Sequence, residues 1–418
     1  MCFATGSRAQ LGNFGNRVKN KIDQKVNQRA DAKADKAIDN TLDKMEGKET
    51  AGHQSPAVTE KNVAKTESNT VKSFSRYDFI AGEKIVYYDN FESESIAELP
   101  TGWNTNGSGE VVTLENLPGK WLQLHKGFTY LSSNEKLFGL NYTVEFDVLM
   151  NLKNNGWMFP TFSFGLFASN DEPATGNVFL KEYNKNAAIL TTIFPGTYNS
   201  SKAQVESVVD NKPYFKSELK DYKELEQYYG KPVHIAIQVQ QQRYRVWINE
   251  TKAFDVPKGI DTTNKMNQLL FKVSSTNYSE EQYGMFVSNI KVAQGVADTR
   301  HKLVEEGKFS TTAILFDVNE ATIKPESGGV LKEIAAVLNE HKEIKISIVG
   351  HTDSDGADAA NLTLSQKRAA AVKEALVNNY GIDEARIVSS GKGESVPVSD
   401  NKTKESKAAN RRVEFIKQ

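Results

Sequence analysis

SIVGHTDSDGADAANLTLSQKRAAAVKEAL, residues 347–376, holds the change of periodicity from which the rest of the chain is read. Just ahead of and inside it, Ile344, Ile346 and Ile348 recur at every second position, the pattern of a strand with one buried face, and Gly350 ends that run. Thr352 and Asp353 therefore fall just past the carboxyl end of a strand. The polar loop that follows carries Asp355 and Asp358, either of which can cap a helix. Leu364, Ala371, Val372, Ala375 and Leu376 then recur at helical spacing. Arg368 stands one helical turn from both Leu364 and Val372, beside the apolar stripe, while Lys367 and Lys373 point outward. A guanidinium so placed needs an anionic partner, because burying it unpaired is costly. Asp353 is the nearest candidate. Spacing alone leaves two outcomes open. The pair closes as a structural salt bridge, or it leaves a gap that grips a ligand bearing both an ammonium and a carboxylate.

The series Asn361-x-x-Leu364-Ser365-x-x-Arg368-Ala369-x-x-Val372-x-x-x-Leu376 resembles the peptidoglycan-associating motif of the OmpA-like C-terminal domain. Its surroundings agree. Phe316-Asp317 precedes a helix, Gly350-His351-Thr352-Asp353 leads into the motif, Gly391-Lys392-Gly393-Glu394 follows the third strand, and Asn410-Arg411-Arg412-Val413-Glu414 opens the last. The resemblance spans residues 311–418 and implies a two-layer α/β domain that holds peptidoglycan without cleaving it. It implies that Asp353 binds the amine of diaminopimelate in the peptide stem and Arg368 its carboxylate. Thr352, Asn361, Leu364 and Ser365 would shape the pocket, Phe316 and Asp317 would line it from the first strand, and Arg411 and Arg412 would sit at its rim. The chemistry suits the residues, since a zwitterion wants one anion and one fork-shaped cation. The resemblance also implies a cell-envelope protein on the periplasmic side of the outer membrane. Within this domain Thr312–Val318 reads as a strand. Pro325 opens a helix whose apolar face is Val330, Leu331, Ile334, Val337 and Leu338. The expected order is strand, helix, strand, helix, strand, strand.

With 418 residues the chain is long enough for two or three domains. Its 52 basic and 53 acidic residues leave a net charge of −1, so there is no general pull toward nucleic acid or an acidic surface. The single cysteine, Cys2, excludes an internal disulfide. No apolar run is long enough to cross a membrane as a helix. Residues 1–12 read as a truncated, signal-like segment: Ser7-Arg8-Ala9 offers small residues for cleavage before Gln10, without a basic start or a long apolar stretch. In 13–46, Val18, Ile22, Val26, Ala30, Ala34, Ile38 and Leu42 recur every fourth position, which predicts a charged helix with a thin apolar stripe. Residues 47–76 are too polar to order themselves and read as a flexible linker.

Residues 77–294 carry short apolar runs separated by Gly, Asn, Pro and Asp, including Lys84–Tyr88, Tyr142–Leu149, Thr161–Phe167, His234–Gln240 and Met285–Val292. This texture predicts an all-β sandwich. The segment HIAIQVQQQRYRVWINETKAFDVP (234–257) is similar to adjacent strands of a concanavalin-like, laminin-G-type jelly roll, a class that includes lectins, glycoside hydrolases and inert spacers. One hydrolase branch carries Glu-x-Asp-x-x-Glu on a strand. Glu145-Phe146-Asp147 begins that pattern, but Met150 stands where the second Glu belongs. Retaining hydrolysis needs two carboxyl groups, so the set is incomplete. Glu145 and Asp147 read as the solvent side of a strand whose Val144, Phe146 and Val148 face inward. Trp103, Trp121, Trp157 and Trp247 read as core in preference to sugar-stacking rings. Val209–Tyr229 reads as a long loop or short helix, and 295–310 as a second linker.

No phosphate loop, nucleophile elbow or metal-ligand spacing appears, and no cofactor is expected. Asp353-x-Asp355-Gly356-x-Asp358 fails as a calcium loop, because an EF-hand needs an oxygen ligand at Ala357 and glycine at Asp358. His351 is read as lining the ligand groove. The chain is thus expected to be a non-enzymatic envelope protein that anchors to peptidoglycan, with a glycan or protein as a further partner for the sandwich. The alternatives are a wall-targeted glycan-binding or glycoside-cleaving protein and an outer-membrane β-barrel.

Overall fold

Apolar residues at alternate positions turn one side of each short run between Tyr77 and Gln294 toward a common interior, and the runs pair accordingly. The computed structural model describes residues 77–133, 136–170, 172–173, 176–295 and 298–418. The segments read at 1–12, 13–46 and 47–76 lie outside the described residues. Two antiparallel sheets of eight strands follow. In one, the strand Asn141–Leu152 lies between Pro232–Gln240 and Tyr283–Gln294. In the other, Phe162–Ala168 lies between Ala187–Phe194 and Gln268–Val273. Val144, Phe146, Val148 and Met150 from the first sheet share one core with Phe162, Phe164 and Leu166 from the second. Phe146 meets Phe164 edge-on with ring centroids 5.3 Å apart. Two sheets around an apolar filling do not make the single closed cylinder of the barrel alternative. Trp103, Trp121 and Trp247 are buried as expected, whereas Trp157 is 57% exposed. Val209–Tyr229 is neither a plain loop nor a helix alone: it holds the strands Lys212–Lys216 and Lys220–Asp221 and the 3-10 turn Lys223–Tyr228.

The C-terminal region forms a four-stranded sheet in the order Lys308–Thr311, Val413–Lys417, Ile346–Gly350, Ile387–Gly391. Its last pair is parallel. The helices Gly328–Glu340 and Asp358–Tyr380 bury Val330, Leu331, Ile334, Ala369, Val372 and Leu376 in a core with Ile346, Ile348 and Phe415. Two expectations fail here. The first strand is Lys308–Thr311, which begins inside the stretch 295–310 read as a linker, and a helix, Thr299–Val304, precedes it. Thr312–Val318 instead folds back: the Leu315 N–H donates to Ser327 Oγ at 2.8 Å and the Leu315 carbonyl accepts from Lys324 N–H at 2.9 Å. These bonds replace the pairing of a strand, and only Phe316 retains a bridge, to Ile323. A further helix, Lys404–Asn410, precedes the last strand.

Glu145 and Asp147 do face away from the first core, yet they are not solvated. They are 4% and 7% exposed. Asp147 lies 2.8 Å from His234 Nδ1, and Glu145 lies 2.6 Å from Lys291 Nζ. Lys324, from the C-terminal region, stands 4.0 Å from Asp147. The same sheet face presents Ala236 and Trp247, which join Tyr77, Phe79 and Ala81 in the core of the C-terminal region. Alternation picked the correct face, but a second core covers it.

Candidate functional site

The site begins with a close approach of backbones. A Cβ on Gly350 would lie 2.3 Å from the Ser365 carbonyl oxygen, and one on Gly391 would lie 2.3 Å from the Gln366 nitrogen. Glycine at the ends of these two parallel strands lets the helix Asp358–Tyr380 rest on them. Ser365 is fully buried; its Oγ accepts from Gly393 N–H at 2.9 Å and donates to the Leu362 carbonyl at 2.8 Å. Asn361 Nδ2 donates to the carbonyls of Asp353 (3.3 Å) and Asp355 (3.0 Å) and to Glu394 Oε2 (2.6 Å). Asn361 and Ser365 therefore fix the loop in place. Their polar groups are spent on the fold, as buried polar groups must be. Neither Asp355 nor Asp358 caps the helix. Ala357 occupies the cap, Asp358 is the first-turn acid, and Asp355 pairs with Lys407 at 2.6 Å.

This scaffold sets Thr352 and Asp353 at the strand end, 4% and 7% exposed. One Asp353 oxygen accepts from Asp355 N–H at 3.2 Å, and the other accepts from Arg411 Nη1. Arg411 lies with its guanidinium carbon 4.9 Å from the centre of the Tyr88 ring. Burial works to lower the Arg411 pKa, but Tyr88 and Asp353 together raise it above its ordinary value. Arg411 Nη2 and Thr352 Oγ1 are buried with no protein partner among the described residues.

Arg368 is half-buried and takes a different position. Its Nε donates to the Glu320 carbonyl at 2.9 Å, its Nη2 to the Asp317 carbonyl at 3.4 Å, and the guanidinium lies 4.9 Å from the Phe316 ring centre. Among the described residues no carboxylate forms an ion pair with it. Burial and then the charge on Arg411 lower its pKa, while Asp353 opposes them, so the three charges lie within electrostatic reach of one another. Phe316 and Asp317 thus serve Arg368 through a ring and a carbonyl, from a folded-back segment instead of a strand. Leu364 is half-buried on an open groove of about 800 Å³ that runs between 319–322 and the helix, with Thr363 and Lys367 on the same wall.

Several participants were missed or mis-sorted in the sequence. Arg411 and Arg412 form a doublet that reads as one basic rim, yet Arg412 is 4% exposed and bonds Glu414 through Nε (3.0 Å) and Nη2 (2.9 Å). His351 is buried beside the same Glu414, at 3.5 Å. In the sequence Glu394 reads only as part of a flanking motif and Tyr88 only as the end of an apolar run; neither is assigned to the site, since the first acts on a scaffold amide and the second comes from the β-rich region.

A model of the OmpA family matches residues 315–411. The outer-membrane lipoprotein YfiB of Pseudomonas aeruginosa is 35% identical over 137 residues, covering 32% of this chain and 79% of that protein. Outer membrane porin F of the same organism is 43% identical over 101 residues, 24% of this chain and 29% of the porin. Outer membrane protein A of Bordetella avium is 46% identical over 100 residues, 24% of this chain and 51% of that protein. The chain thus spans from under a third to about half of the length of these last two. Among solved structures, the peptidoglycan-associated lipoprotein of Burkholderia pseudomallei is 32% identical, covers 26% of this chain and 89% of that one, and has a TM-score of 0.24. Through its C-terminal domain, this chain belongs to the OmpA family.

Proposed function

We propose that this is a non-enzymatic cell-envelope protein that anchors to peptidoglycan by holding the diaminopimelate of the stem peptide between Asp353 and Arg368. The observation that carries this is the half-buried guanidinium of Arg368, bonded among the described residues to carbonyls and a ring and to no carboxylate, with a buried Asp353 within electrostatic reach. A buried cation without an anion is expensive. A ligand carboxylate that accepts two parallel N–H bonds removes that cost. The ligand's ammonium turns to Asp353. Two guanidiniums and one carboxylate leave the site net positive, which favours a ligand whose free end is itself acidic. Membership in a family whose relatives include outer-membrane proteins and lipoproteins supports an envelope location on the periplasmic side of the outer membrane.

The β-rich region is read as a concanavalin-like jelly roll that presents a second surface to a glycan or protein. Cleavage of a glycan by it is disfavoured. Glu145 and Asp147 lie in a buried ion cluster with His234 and Lys291, and Met150 sits in the core with no exposed surface. The test is co-sedimentation of the full chain with diaminopimelate-type sacculi. Arg368→Ala should abolish it while the circular dichroism and melting temperature stay near those of the parent. Full binding by a folded Arg368→Ala protein would refute the assignment.

A further inference from the structure

The residues that set the proposed site are not confined to the family domain. Arg411 ends the short helix Lys404–Asn410, and that helix is tied at several points to the β-rich region. Lys404 Nζ is shared by Asp89 Oδ1 at 2.8 Å and Glu94 Oε1 at 2.7 Å. Asp89 is 3% exposed and is itself fixed by Trp103 Nε1 at 3.0 Å. Glu405 Oε1 accepts from the Tyr88 N–H at 3.4 Å. The strand Lys84–Asp89 thus grips one end of the helix, while Tyr88 on that strand lies against the guanidinium that leaves the other end.

We infer that Tyr88 is a positioning residue for the wall-binding site: its ring fixes the plane of Arg411, so that Nη1 is held on Asp353 and Nη2 is left for a carboxylate of the ligand. The inference rests on the reading given under Proposed function. A guanidinium stacked on an aromatic face loses its freedom to rotate out of that plane, and its fork then has one defined direction. Among the described residues Arg411 Nη2 is a buried donor with no hydrogen-bond partner, on the same guanidinium whose Nη1 meets Asp353. Arg411 and Arg368 together then read the carboxylate that distinguishes diaminopimelate from lysine. The β-rich region is a wall of the site, and wall recognition in this chain depends on a strand outside the family domain.

The test uses the full chain and its variants Tyr88→Phe, Tyr88→Leu and Tyr88→Ala, with free meso-diaminopimelate or lysine as the competitor of sacculus binding. Tyr88→Leu and Tyr88→Ala should weaken binding by about fivefold, the loss of one partly desolvated cation–π contact. They should also narrow the preference for diaminopimelate over lysine. Tyr88→Phe keeps the ring and should restore both. Tyr88→Leu fills the space, so a folding defect in Tyr88→Ala does not decide the matter. Unchanged affinity and preference in a folded Tyr88→Leu protein would overturn the inference, as would an equal loss in Tyr88→Phe. If Arg368→Ala also binds normally, the parent reading fails instead, and the two failures are thereby told apart.

Discussion

Gly329→Ala gives the sharpest check on how the two cores join. Gly329 lies in the helix Gly328–Glu340, where exchanging glycine for alanine ordinarily stabilises by about 0.5–1 kcal/mol because the unfolded chain has less entropy to lose. Here a Cβ would lie 2.1 Å from the carbonyl oxygen of Phe79 and 3.1 Å from its carbonyl carbon. The obstruction is backbone, so no side-chain rotation relieves it. Phe79 is also pinned, with its ring 5.3 Å from Trp247 and 5.9 Å from Tyr77. Helix and segment must part by roughly 1 Å, and overpacking of this kind costs ~1–3 kcal/mol. The sign therefore reverses, and Gly329→Ala should be less stable than the parent by about 1–2 kcal/mol after the helical gain is subtracted. Urea denaturation of the full chain, followed by tryptophan fluorescence, measures this, because Trp247 sits at the contact. A Gly329→Ala protein as stable as the parent, or more stable, would show that the segment at Phe79 does not abut the helix.

Three further outcomes follow from the same contacts. Burial works to lower the pKa of His234, but Asp147 and Glu145 outweigh it and raise the pKa to about 10. The stabilisation is therefore complete below about pH 6.5, its unfolded value, and drains away as pH rises through about 10. The urea midpoint should fall across that window in the parent and stay flatter in His234→Gln; the same slope in both would contradict the buried cluster. Lys404→Ala strands the buried Asp89 and should cost ~1–3 kcal/mol in the same denaturation assay; a loss under ~0.5 kcal/mol would show the contact to be a solvated surface pair. Asp353→Asn keeps shape but removes the charge, so sacculus binding should drop at least tenfold with meso-diaminopimelate no longer competing; unchanged competition would remove Asp353 from the site.

The sequence was most legible where one physical rule acted alone. Ile346 and Ile348 sit in the core because strand alternation has no competitor there, and Val372 and Leu376 do so by helical spacing. It was least legible where a distant part of the chain decides. Alternation told that Glu145 and Asp147 share the face opposite the first core, but nothing local reports that Tyr77, Phe79 and Lys324 cover it. The apolar run Ala313-Ile314-Leu315 has the composition of a strand, yet Ser327 and Lys324 take its backbone bonds. Asp358 has the chemistry of a cap, but Ala357 in extended conformation starts the helix.

The doublet Arg411-Arg412 carries the point into the site itself. Arg411 caps the end of the helix Lys404–Asn410 and Arg412 leads into the strand Val413–Lys417, and the two identical residues meet different fates. Arg412 neutralises Glu414 inside the domain, and Arg411 reaches Asp353. Asp353 is thereby paired with Arg411, and among the described residues it makes no ion pair with Arg368. A lone buried carboxylate would draw in the nearest guanidinium, and the pair would close on itself. With Arg411 already on Asp353, the carboxylate's charge is matched within the site. Arg368 settles on the carbonyls of Asp317 and Glu320, which hold it without neutralising it. Among the described residues Asp353 is thus paired with Arg411 and not with Arg368, and Arg411 itself lies against a tyrosine of the β-rich region.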